Sequence, residues 1–300
     1  MMNSYKTSSV VARLTALALV AFVPFTILAG EPEHVRVVTW NIEWFPGRTP
    51  QPTERAEKAH REDVADYLPT LEPDIFMAQE IRNREAAEFL VDQLPGLELH
   101  VVSAFQRPNP NISQQILIAS RFEAIESYEE LFTGEAYDYG DMEPYRGYVF
   151  SALESPVGGT LLVYAVHLKS NWGEREVNVA MRESGAQQIL RHIAKKEAMY
   201  ADRGPVQVIV GGDFNVRLNL EDIEDERTID LFTEAGFHSS WDGVPFTDRI
   251  TWPPRGGFPP ACFDYILTKG LPPLTAELLF KPAWALSDHR PVMLAIPRKH

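Results

Sequence analysis

Cysteine is almost missing from this chain. Cys262 is the single one among 300 residues, so no intramolecular disulfide can form and a disulfide framework is excluded. An oxidising compartment is tolerated rather than exploited. Positive charge is also scarce, with 28 Lys and Arg against 42 Asp and Glu and a formal net charge of −14. Such a surface does not attract polyanions as a whole. Tight non-specific binding to DNA is therefore disfavoured unless a local basic patch or a bound metal reverses the field. There is no internal repeat, no low-complexity tract and no interior linker rich in Gly, Ser or Pro. One domain is the simpler expectation. The balance of 45% hydrophobic and 23% charged residues is that of a globular protein with a real core.

A long apolar run occurs only at the N-terminus. Lys6 and Arg13 precede Leu14–Leu28, which Pro24 interrupts and Ala29-Gly30 closes before Glu31-Pro32-Glu33. A basic start, an apolar middle and small residues before a polar stretch describe a secretory signal peptide. The run is short for a spanning helix, and the proline argues against a stable one. We therefore expect residues 1–30 to be a signal peptide, residues 31–300 to be the folded functional domain, and the protein to be exported, periplasmic or secreted. Without residues 1–30, which carry Lys6 and Arg13 and no carboxylate, the net charge falls from −14 to −16.

What is present is a series of apolar strands that end in polar residues. "VQVIVGGDFNVRL", 206–218, reads as a strand covered on both faces that runs through Gly211-Gly212 to Asp213 and Asn215. The glycines let the backbone break or come close to something. Val35–Thr39 leads to Asn41, "IFMAQE" (75–80) ends in Glu80, and "TLLVYAV" (160–166) runs into His167. Asp264 sits inside the apolar "FDYIL", where an unpaired carboxylate is costly, and Asp288-His289 precede the strand Val292–Ile296. Each has a plain structural explanation alone: a turn, a solvated glutamate, a core histidine, a salt bridge from Asp264 to Arg290 or Arg249. Their recurrence in one chain is what those explanations leave over. Helices are expected at Glu54–Leu71, started by Pro52-Thr53, at Arg84–Leu94, capped by Asn83, at about 174–200 and around 227–235. Several strands follow one another without helices between. That pattern favours a pair of mixed sheets with helices outside, an α+β fold, over a doubly wound parallel sheet.

The motifs "TWNIEW" (39–44), "AQE" (78–80), "VHLKS" (166–170), "GGDFN" (211–215), "FDYIL" (263–267) and "SDHRPV" (287–292) stand in the order seen in the endonuclease/exonuclease/phosphatase superfamily. The chain resembles that superfamily over roughly residues 35–297. None of the motifs is specific alone; the ordered set is. The resemblance implies a four-layer α/β/β/α sandwich of two mixed β-sheets with helices outside. It also implies hydrolysis of phosphate esters with a divalent cation, Mg²⁺ or in its place Mn²⁺, with Ca²⁺ assisting. By resemblance Glu80 is the chief metal ligand, Asn41 supports it, and Asp288 is a further ligand or a second site. His289, oriented by Asp264, is the candidate base for the attacking water, and Asp213 is its rival. His167 and Asn215 would hydrogen-bond the phosphoryl oxygens, with His167 also a candidate acid for the leaving oxygen.

Weaker signals surround this set. Glu43 stands where some relatives keep an acidic metal residue and equally reads as a surface glutamate. Tyr145, Arg146 and Lys169 are candidate phosphate contacts, although a solvated arginine is the plainer reading of Arg146. The proline-rich "ITWPPRGGFPPACFDYI" (250–266) reads as a base-stacking or lipid-facing loop, or as a rigid scaffold. The expected function is an exported metal-dependent phosphodiesterase acting on nucleic acid, DNA ahead of RNA. The alternative substrate is a lipid or small phosphoester, which needs no basic groove. An inactive binding protein that keeps only the fold would be expected to have lost some site residues, and all are present. No stable protein partner is implied, and a monomer is expected.

Overall fold

Alternation along the first strand shows how the layers are built. In β1 (His34–Phe45), Val35 and Val37 face one core while Val38, Trp40 and Ile42 face another. A strand buried on both faces belongs in the middle of a layered fold. The structure, a computed structural model, describes residues 33–106, 113–138, 146–216, 225–279 and 286–298. The expected signal peptide, residues 1–30, and Tyr145 lie outside the described residues. After β1 come α1 (Glu54–Tyr67), β2 (Ile75–Ile81), α2 (Arg84–Asp92), β3 (Glu98–Val102), β4 (Gln115–Ser120) and β5 (Ala124–Leu131). Then follow β6 (Gly147–Glu154), β7 (Thr160–His167), α3 (Arg175–Tyr200), β8 (Val206–Asp213) and α4 (Thr228–Glu234). The chain ends with β9 (His238–Ser239), β10 (Asp264–Lys269), β11 (Glu277–Leu278) and β12 (Val292–Pro297).

The strands form two six-stranded sheets, ordered β11-β12-β1-β2-β4-β3 and β5-β6-β7-β8-β10-β9. Each is mixed, with one parallel pair, β1 with β2 and β7 with β8. Val35, Val37, Ile75, Met77 and Ile118 turn inward and share a core with the second sheet, which α3 and α4 cover from outside. On the outer face of the first sheet, Trp40, Phe76 and Ala78 pack against Val64 and Tyr67 of α1 and Ala86 and Leu90 of α2. The result is the expected α/β/β/α sandwich. Among the described residues no helix is long and apolar enough to cross a membrane.

Local chemistry sets the ends of the elements. The Thr53 hydroxyl accepts from the Ala56 N–H at 3.2 Å and Asn83 accepts from the Ala86 N–H at 3.0 Å, the two expected N-caps. α1 is shorter than its periodicity predicts. It tightens into a 3₁₀ turn at Leu68–Leu71, where Pro69 has no N–H for the α-helical bond. The two-residue strands β9 and β11 have no sequence signal, since so short a segment shows no alternation.

The paired glycines at the end of β8 both mark close approach. A Cβ on Gly211 would lie 2.4 Å from the Met77 methyl of the facing sheet, and one on Gly212 would lie 2.1 Å from the Val166 carbonyl oxygen. Gly212 also has φ +143°, which L side chains rarely adopt. We expect Gly212→Ala to destabilise the fold by about 3 kcal/mol, because a central-strand backbone cannot retreat. Denaturant unfolding measures this, and a loss below about 1 kcal/mol would refute it.

Candidate active site

Strand register brings the polar strand ends together. His167 is the partner of Asp213 across the parallel β7–β8 pair, and Asp264 is the partner of Asp213 across β8–β10. Two carboxylates opposite one another repel. The ring of His289 lies between them, with Nδ1 2.8 Å from Asp264 Oδ2 and Nε2 3.8 Å from Asp213 Oδ2. His167 Nε2 approaches from the other side, 3.7 Å from the same Asp213 oxygen and 3.9 Å from Glu80 Oε1.

Irregular backbone supplies the other half. Strict alternation would send Glu80 to the helix side with Phe76 and Ala78. Instead β2 breaks register with β4 between Ala78 and Ile81, and Glu80 takes φ +64°. Its carboxylate thereby meets the Asn41 amide, whose Nδ2 lies 3.3 Å from Glu80 Oε1 and 3.0 Å from Asp213 Oδ2. β1 is bulged in the same place, between Asn41 and Phe45, and Glu43 and Trp44 have φ +32° and +51°. The Trp44 N–H, freed from the ladder, donates to Glu80 Oε2 at 2.9 Å. Backbone strain of this kind gathers at functional sites, and Asn215, at φ +57°, adds to it.

Asn41 thus joins Glu80 and Asp213 as a donor, while its Oδ1 accepts from the Glu43 N–H at 3.1 Å. Asn215 donates its backbone N–H to Asp213 Oδ1 at 2.8 Å and its amide to the Leu168 carbonyl at 3.2 Å. Asp288 lies on the wall, its Oδ2 accepting from the Trp252 indole at 3.2 Å. Arg146 departs from the expectation of a solvated side chain. It is buried, and its guanidinium donates to the carbonyls of His167 and Leu168 at 3.1 and 3.0 Å, tying down the loop beyond β7. Lys169 is not among the residues lining the cleft; its ammonium donates to the Ser170 and Trp172 carbonyls.

Other supporting groups carried no chemical signal in sequence. Ser287 donates to the Asn41 carbonyl at 2.7 Å and accepts from the His289 N–H at 3.0 Å, and the Trp40 indole donates to the His289 carbonyl at 3.1 Å. His60 accepts from the Gly47 N–H at 2.8 Å, so its Nε2 proton donates to the Leu286 carbonyl at 2.7 Å. Burial lowers its pKa to about 4, which keeps that tautomer neutral. Among these, Ser287 and Trp40 fall inside quoted motifs and His60 does not.

Electrostatics divide the carboxylates. Burial raises the Asp213 carboxyl to about 7, with His289 opposing and Asp264 adding to the rise. Burial opposes charge on His289, but the adjacent carboxylates of Asp264 and Asp213 outweigh it and hold the pKa well above the ordinary value. Asp213, Asp264 and His289 also lie close enough to ligate an ion jointly, with ligand atoms within 4.8 Å of one another. The Nδ1 contact with Asp264 at 2.8 Å already joins His289 and Asp264 as a hydrogen-bonded pair. Burial and then the nearby Asp288 raise the Glu80 carboxyl, and among the described residues no Lys or Arg pairs with it. Crowded oxygen donors short of cationic partners fit a hard divalent ion.

The cleft is lined by Trp44, Trp172, Trp252, Phe258 and Phe263 as well as by the polar residues. Solved structures share the fold. C. elegans TDP2 in truncated form is 19% identical, with 88% of this chain and 97% of that one covered at a TM-score of 0.60. SmcL is 17% identical, with 88% and 99% covered at 0.63. D. rerio TDP2 complexed with a single strand DNA product is 17% identical, with 88% and 99% covered at 0.60. No curated protein matches the chain. The sequence itself matches the Endonuclease/Exonuclease/phosphatase family over residues 38–289, from β1 to His289. With that match spanning both sheets and every residue of the cleft just described, the chain belongs to the Endonuclease/Exonuclease/phosphatase family, whose enzymes are hydrolases of phosphoester bonds and generally depend on a divalent metal.

Proposed function

We propose that the protein is an exported, monomeric, divalent-metal-dependent phosphodiesterase that hydrolyses nucleic acid, DNA ahead of RNA, by in-line attack of water. The observation that carries the reading is His289 held between Asp264 and Asp213, opposite His167 and beside Glu80. A divalent ion, Mg²⁺ or Mn²⁺, would be held at Glu80 with support from Asn41 and Asp288, and it supplies positive charge for the phosphate oxygens. Asp213, with a pKa near neutrality, takes the proton of the attacking water. His289, kept charged by Asp264, stabilises the negative charge that grows on the phosphoryl oxygens, and Asn215, which lines the cleft, would hydrogen-bond them. His167, on the opposite side of Asp213, gives a proton to the leaving oxygen in this reading. The aromatic lining favours bases, which stack on such side chains whatever their sequence. The solved complex of D. rerio TDP2 with single strand DNA product points the same way. A small or lipid phosphoester is the second reading, favoured by the negative net charge.

The purified protein with Mg²⁺ or Mn²⁺ should cleave plasmid DNA faster than RNA, sphingomyelin or phosphomonoesters. Preference for sphingomyelin or a phosphomonoester would overturn the nucleic-acid reading. Export is tested by intact mass, which should show cleavage near Ala29 or Gly30 in protein recovered outside the cytoplasm. A base with a folded pKa of about 7 loses its function as it gains a proton, so kcat/KM should fall as pH drops through about 7 or below, since any cation in the cleft lowers that value further. Asp213→Asn should remove this acid limb. A limb that survives the substitution assigns the base elsewhere.

A further inference from the structure

The proline-rich stretch beside β10 is a short hairpin whose arginine reaches Asp288 on the cleft wall. Trp252 pairs with Ala261 and Arg255 with Phe258. The chain turns at Gly256 and Gly257, with φ +58° and +87°, the two positive values that a tight two-residue hairpin turn needs. Pro253, Pro254, Pro259 and Pro260 fix φ on both arms, so Arg255 is presented on a stiff support. Its Nη1 lies 2.7 Å from Glu43 Oε1 and 3.1 Å from Asp288 Oδ2. The second Glu43 oxygen meets Arg48 Nε at 2.6 Å, and the same Asp288 oxygen accepts from the Trp252 indole. Glu80 differs in kind. Its neighbours are the Asn41 amide and the Trp44 N–H, with His167 farther off at 3.9 Å.

Where two carboxylates converge, a cation must offset their repulsion, and here the chain brings its own. We propose that Arg255 takes the place of a second metal ion between Glu43 and Asp288, so that the cleft holds a single divalent ion, at Glu80. The inference rests on the metal-dependent reading of the cleft and narrows it. Mg²⁺ sheds its water reluctantly, whereas a guanidinium is weakly hydrated and its planar fork suits carboxylates. An arginine ordered by the folded hairpin is already in place when an ion arrives. Glu43 is then a carboxylate neutralised by Arg48 and Arg255. Asp288 fixes the hairpin and offers no second site, which departs from one of the roles that the family resemblance implies for it.

Ion counting tests this without reference to turnover. Mn²⁺ is titrated into the metal-free protein and the unbound ion followed by its paramagnetic resonance signal. The expected result is one bound ion per chain, weakened by at least about tenfold in Glu80→Gln. Arg255→Ala should bind two, and Arg255→Ala combined with Asp288→Asn should return to one. Two ions in the unaltered protein, or one ion in a folded Arg255→Ala, would overturn the inference and leave metal dependence intact. No bound ion in the unaltered protein would overturn both. If Arg255→Ala does not fold, Arg255→Gln removes the charge while keeping most of the side chain, and the same counts decide.

Discussion

His289→Ala is expected to lower kcat by about 10²–10⁴-fold while changing KM little, because a group that acts on developing charge matters most in the transition state. Its ring is buried between two carboxylates, so the substitution removes a cation and leaves Asp213 and Asp264 facing each other across a gap. Asp264→Asn should give a similar loss by a different route. The imidazole remains, but the carboxylate that holds the proton on Nδ1 is gone. Asp264 lies within β10 with no exposed surface, so it acts through His289 and is a positioning residue. The double mutant should therefore be little worse than either single one. Steady-state kinetics on plasmid DNA supplies the comparison. If the two defects multiply, the pair does not act as a unit and the proposed cation is not the imidazole.

Chelation should have an effect at least as large. EDTA is expected to reduce turnover by on the order of 10³-fold or more, and Mg²⁺ or Mn²⁺ to restore it. Two features support the expectation. Glu80 has no Lys or Arg partner among the described residues, and two arginines near the mouth are committed elsewhere, Arg255 to Glu43 and Asp288 and Arg146 to two carbonyls. Among the described residues no Lys or Arg is placed to stand in for the ion beside Glu80. Glu80→Gln should then weaken metal affinity more than it harms chemistry at saturation, so that added Mg²⁺ or Mn²⁺ rescues much of the loss. Turnover that persists in excess chelator would remove the metal from the reaction, and a Glu80→Gln defect that ignores metal concentration would remove Glu80 as its seat.

Much of this was legible in the chain. Short apolar runs bordered by Asn41, Glu80, His167, Asp213, Asp264 and Asp288-His289 are local features of the chain, and the order of the motifs identified the layered sandwich. The caps at Thr53 and Asn83 were readable because a side-chain oxygen and its N–H partner lie three residues apart. Such signals are local, and local signals survive in a one-dimensional string.

What the sequence could not set was decided by register, bulge and burial. It named His289, Asp264 and Asp213 but left the base open, since the pKa of each depends on neighbours far away in the chain. Alternation assigns Glu80 to the wrong face, and only the bulges in β1 and β2 turn it toward Asn41. Arg146 and Arg255 are both arginines in irregular segments. Folding buries one against backbone carbonyls and brings the other to Glu43, 212 positions distant. The sequence determined the layers and the candidate chemistry because periodicity and residue type are properties of neighbours. Which carboxylate keeps its proton, and which cation neutralises which acid, was decided by the tertiary structure, because desolvation and Coulomb interaction depend on distance through space.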